Sequence, residues 1–86
     1  TLVRSGTNSL IDALKAGARI EELDIADLDE RLAQTKNTAI ITQFNYLKMG
    51  SENHLRAFTR RLRMNGVIYT PVFLSNQVYQ KILADN

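Results

Sequence analysis

The chain has 86 residues, with 11 Lys or Arg against 9 Asp or Glu and a net charge of +2, so it holds one domain at most and has no electrostatic basis for expecting nucleic acid as a partner. It contains no cysteine, which excludes disulfides and thiolate metal sites. No apolar run approaches the roughly 20 residues of a membrane span and no signal peptide is visible, so the expectation is a soluble protein, cytoplasmic by default.

The chain opens on Thr1 rather than Met, with a helical pattern almost at once. This reads as a processed chain or a piece of a longer protein. The first helix is expected from before Asn8 (about 8–34) and to end near Gln34. Its apolar face is Leu10, Leu14, Ala18, Ile25, Leu28 and Leu32, at helical spacing. The series lacks one member, and that position holds Glu21. Glu22 falls near the edge of the stripe, and Asp27, Asp29, Glu30 and Arg31 lie mostly outside it. In "EELDIADLDE", Asp24 could also cap a restarted helix, so a break there stays open.

"QTKNT", residues 34–38, is a polar turn in which Asn37 or Thr38 caps the second helix, expected at about 39–65. Its apolar face is Ile40, Phe44, Leu47, Ser51, His54 or Leu55, Phe58 and Leu62. Arg56, Arg60 and Arg63 project on the other side. Asn65–Gly66 is a fitting C-terminal stop. "VIYTPVF" should then run extended, because Pro71 biases Thr70 away from helix. Ser75 can cap a short last helix at about 76–84, with Val78, Tyr79, Ile82 and Leu83 on its apolar side.

A short turn makes the two long helices antiparallel neighbours. Folding the chain about Lys36 puts Glu21 opposite Ser51, with His54, the only histidine, one turn further on. A buried carboxylate is costly without a partner. Imidazole can serve as hydrogen-bond donor or as fellow metal ligand. On this reading His54→Ala should cost roughly a few kcal/mol, the penalty for stranding a buried charge.

A lone Glu on one helix and Glu-x-x-His on the next is the half-site of ferritin-like di-iron carboxylate proteins. Glu21 matches the lone Glu and His54 the histidine, while Ser51 stands where the second Glu belongs. The stretches "SLIDALKAGARIEELDIADLDE" (9–30), "NHLRAF" (53–58) and "NGVIYTP" (65–71) resemble an uncharacterised ferritin-like family of prokaryotes. The resemblance covers most of the chain. It implies an all-α fold in which this antiparallel two-helix hairpin, with its extended segment and short C-terminal helix, is the second half of a four-helix bundle. It also implies iron or another divalent metal as the cofactor, with Glu21 and His54 as ligands and Ser51 beside them. The departure at Ser51 weakens any expectation of ferroxidase or oxygenase activity.

Other chemistries find less support. Glu21, Ser51 and His54 have the composition of a triad, but no third group orients the histidine at close range and no oxyanion hole is evident, so no catalytic residues are assigned. "RAFTRRLR" reads as a solvated helix face, and Phe44 and Phe58 belong to the core stripe rather than to a base-stacking platform. Tyr46, Tyr69 and Tyr79 read as ordinary half-buried positions. No phosphate-cradling glycine loop occurs. Two functions lead: a ferritin-like metal-binding protein, and a helical structural or interaction module without metal chemistry; a third, weaker one is a basic nucleic-acid or anion binder. Enzymatic activity is not the leading expectation. Wide apolar stripes on a short chain call for a partner. That partner is a second copy, in a two-fold dimer that rebuilds a four-helix bundle, or the missing N-terminal half.

Overall fold

A computed structural model describes the backbone of residues 2–85 and the side chains of residues 8–85. Among the described residues all regular structure is helical: α1 is Leu2–Gln34, α2 is Thr38–Met64 and α3 is Asn76–Ala84. α1 runs unbroken past Asp24 for 33 residues. The reason is the seam it buries. Leu14 and Ala18 before Asp24, and Ile25 after it, lie on one helical face and are at most 6% exposed. A restart at Asp24 would rotate Ile25 out of that seam.

The turn before α2 is closed by side chains. Asn37 is the cap: its Oδ1 accepts from the Ile40 N–H at 3.2 Å. Thr35 Oγ1 accepts from the Asn37 N–H at 3.2 Å. Each bond satisfies a backbone donor in or beside the opening of the helix. At the other end, Gly66 adopts φ +80°, a left-handed conformation that disfavours a side chain. That geometry lets the Gly66 N–H reach Arg63 O at 2.9 Å and the Val67 N–H reach Leu62 O at 2.9 Å. Together these are the paired bonds of a Schellman stop, and they turn the chain back along the hairpin.

Three contacts fix how α1 and α2 run past each other. Gly17 meets the Phe58 ring, Glu21 meets His54, and Asp29 pairs with Lys48 at 2.6 Å. The helices are antiparallel, and the centre of the fold lies beside Asn37 and Thr38. A Cβ at position 17 would sit 2.6 Å from the Phe58 ring, so glycine there lets the ring seat on the α1 backbone.

The core joins Leu14, Ala18 and Ile25 of α1 to Leu55 and Leu62 of α2, Tyr69 of the following segment, and Tyr79 and Ile82 of α3. Burying Ile25, Leu55 and Leu62 completely contributes about 1.5–3 kcal/mol each. Of the two residues competing for the interior of α2, Leu55 takes it. His54 does not: its side chain is 69% exposed. The extended segment 67–75, here called the strap, and α3 cover the flank of the hairpin that carries Leu55 and Leu62. Ser75 Oγ caps α3 by accepting from the Val78 N–H at 3.2 Å. Arg56 donates from Nη1 to Ile82 O at 2.9 Å, placing a cation on the carbonyl end of α3. The opposite flank is left open. Leu47, expected in the core, is 56% exposed there, and Leu10 and Ile40 are also exposed.

Candidate site in the open groove

The open flank is a groove of about 650 Å³ whose walls include Glu21, Asp24 and Leu28 of α1 and Leu47, Ser51 and His54 of α2. Glu21 occupies a core position of α1, as the interruption of its apolar series requires, and is 8% exposed. His54 lies one residue outside the buried line of α2, so its ring reaches across the groove mouth rather than into the core. The two meet with Glu21 Oε1 3.3 Å from His54 Nδ1. With the proton on Nδ1, the imidazole donates to the carboxylate.

Of the three residues singled out from the sequence, Glu21 and His54 are brought together. Ser51 lines the same groove one turn nearer the hairpin turn. Pivoting about Lys36 had placed Ser51 level with Glu21. The true centre lies one to two residues later, because Asn37 rather than the middle of "QTKNT" sets where α2 begins, and this brings His54 level instead.

The pair offers one carboxylate oxygen and one imidazole, the donor types that iron and other divalent ions accept in proteins. Among the described residues, no group of three or more His, Cys, Asp or Glu side chains could hold a metal ion. Glu21 and His54 therefore supply two donors of the kind a metal takes, fewer than a complete ligand set.

The most densely bonded side chain was not anticipated. Glu22, expected near the edge of the stripe, is 0% exposed. Its Oε1 accepts from the backbone N–H groups of Val72 at 3.0 Å, Phe73 at 2.9 Å and Leu74 at 2.9 Å. Oε2 accepts from the Tyr69 hydroxyl and from the Val72 N–H at 3.1 Å. Tyr69 stacks edge-on against Tyr79, ring centres 6.0 Å apart. Burial first, then the hydrogen bond to Glu22 and that group's charge, push the Tyr69 phenol far above its ordinary range. Burial also raises Tyr79. A signal for Glu22 was present in the sequence. An extended segment with no partner strand must place its amide donors somewhere, and a carboxylate at the edge of the adjoining apolar stripe is a ready acceptor.

Fold and groove define a class: all-α, two long antiparallel helices strapped along one flank and open along the other. A family profile described as "Uncharacterized protein domain (DUF2202)" matches residues 1–86, and the chain belongs to that family. It is 45% identical over 85 residues to the uncharacterized protein MJ0754 of Methanocaldococcus jannaschii, an alignment covering 99% of this chain and 46% of that protein. A crystal structure of the hypothetical protein MJ0754, from Methanococcus jannaschii, is similar with a TM-score of 0.85 at 45% identity, over 88% of this chain and 43% of that one. The chain spans less than half the length of these relatives. Among the described residues, no helix is long and apolar enough to cross a membrane.

Proposed function

We propose that this chain is one half of a ferritin-like four-helix bundle, and that Glu21 and His54 offer a carboxylate–imidazole pair to a divalent metal, iron included, at the seam with a second pair of helices. One observation carries the reading. A buried carboxylate and the chain's only histidine, from facing helices, converge to 3.3 Å on the wall of the open, largely apolar groove. Tyr46, Leu47 and Met49 stand exposed along this flank, and covering them would remove apolar surface from water. The matched share of the relatives, below one half, accords with a second helical pair supplied from elsewhere, either by further chain or by a second copy.

Glu21 and His54 are the residues that would hold the ion, and a bound divalent cation would supply Lewis-acid charge at the seam. No redox or oxygen chemistry is assigned, because Ser51 occupies the place where the resemblance expects a further carboxylate. Two donors alone bind weakly. A second reading, a helical interaction module without metal chemistry, is favoured by one feature: no third ligand-type side chain joins Glu21 and His54 among the described residues.

Equilibrium dialysis against Co(II), paired with sedimentation over a range of protein concentrations, tests both parts. Weak binding lost in Glu21→Gln and in His54→Ala, together with concentration-dependent dimers, supports the proposal. Equal Co(II) uptake by wild type and both variants argues against the site. A monomer at every concentration argues against a second copy in the groove.

A further inference from the structure

We infer that the strap carries an anion-binding nest able to take a free carboxylate, of which Glu22 is the built-in ligand. The donors all belong to the strap: the Tyr69 hydroxyl and the consecutive N–H groups of Val72, Phe73 and Leu74. The acceptor belongs to α1, 47 to 52 residues earlier in the chain. Pro71 interrupts the run of donors on one side, since it has no N–H. Successive backbone N–H groups turned toward one point form a concavity that captures anions, and carboxylates are captured this way in peptide recognition. This nest lies on the flank opposite the Glu21–His54 groove and is independent of the metal reading.

Receptor and ligand are separable. Truncating Glu22 removes the anion but leaves four donors aimed into the space it filled. Such buried donors strongly favour recovering an acceptor. A small free carboxylate has the charge and shape to replace the lost group. The donors belong to a short strap whose Val72 and Phe73 side chains are exposed, so the site is covered by one thin segment of chain.

The experiment is chemical rescue of Glu22→Ala. Its melting temperature is measured against sodium formate and sodium acetate, with sodium chloride at matched ionic strength as the control. Formate should raise the melting temperature of Glu22→Ala saturably and shift the amide NMR signals of Val72, Phe73 and Leu74 with the same midpoint. Wild type, with its nest already filled, should respond to formate no more than to chloride. Adding Tyr69→Phe should raise the half-saturating formate concentration several-fold, because one donor is lost. If Glu22→Ala is unfolded at the outset, the same titration is read as refolding, with saturable recovery of helical circular dichroism in formate and none in chloride. Equal responses to formate and chloride would overturn the inference, as would a formate response in wild type matching that of the variant.

Discussion

Glu21 and Glu22 are adjacent in the chain and both buried, yet they serve opposite flanks of α1. The first meets His54 in the open groove, and the second meets Tyr69 beneath the strap. The roughly 100° rotation between consecutive helical residues does this. One carboxylate is available to whatever fills the groove. The other is consumed in holding the chain's own C-terminal segment.

Glu22 should therefore dominate stability. Glu22→Ala leaves the Tyr69 hydroxyl and three amide donors without their acceptor. Each buried donor left without an acceptor costs about 1–3 kcal/mol, so the loss is expected to be at least of that size and larger than for an ordinary surface substitution. Glu22→Gln keeps the shape but puts an amide donor among donors, so it should also be destabilised, by less. Urea unfolding monitored by circular dichroism measures both. A Glu22→Ala variant within 0.5 kcal/mol of wild type, roughly the scatter of an ordinary surface substitution, would contradict the assignment.

His54→Ala should cost little in the isolated chain. The sequence suggested a penalty of roughly a few kcal/mol for stranding the buried charge of Glu21. Glu21 is buried, but the His54 side chain is 69% exposed at the groove mouth, where water can replace the imidazole, so about 1 kcal/mol or less is expected. The same urea titration measures it, and a loss comparable to that of Glu22→Ala would show the imidazole to be far more enclosed than its exposure indicates.

Alkaline pH should destabilise the strap. The folded state holds the Tyr69 and Tyr79 phenols above the ordinary value of about 10. The folded protein then keeps protons that the unfolded chain releases. Their contribution is fully present below about pH 10 and declines as pH rises above it toward the folded values. Stability should be flat with respect to these groups at neutral pH and fall beyond about pH 10, the decline being smaller in Tyr69→Phe. Phenolate absorbance recorded alongside thermal melts checks this, and a Tyr69→Phe decline as steep as that of wild type would contradict it.

Gly66→Ala should weaken the end of α2. A side chain at φ +80° is strained by about 1–2 kcal/mol, and the bonds from Gly66 and Val67 back to Arg63 and Leu62 depend on that conformation. Hydrogen exchange at the Gly66 and Val67 amides should quicken along with the loss in the melting temperature.

Local rules made much of the architecture legible. Asn37, Ser75 and Gly66 act where capping chemistry places them, because a cap depends only on a few neighbouring residues. The interruption of one apolar series at Glu21, and of the other near His54, was enough to put the pair on facing sides of the two helices, though the pivot at Lys36 set Ser51 rather than His54 level with Glu21. Three things depended on tertiary context. Whether His54 or Leu55 points inward is a question of one residue's rotation, decided by packing against Ala18 and Ile25 as well as by periodicity. Exposure of Leu47 reflects which flank the strap covers. Glu22 acquired its role from donors some fifty residues away, beyond the reach of any helical pattern.

The most direct test of the groove as a metal-presenting site is paramagnetic broadening of the protein's NMR spectrum by substoichiometric Mn(II), which detects even weak, fast-exchanging binding. If Glu21 and His54 are the donors, the His54 ring signals and the amides around Glu21 and Ser51 broaden first, and the effect disappears in both Glu21→Gln and His54→Ala. Broadening centred on exposed carboxylates such as Asp27 and Glu30, and unchanged in the two variants, would contradict the assignment.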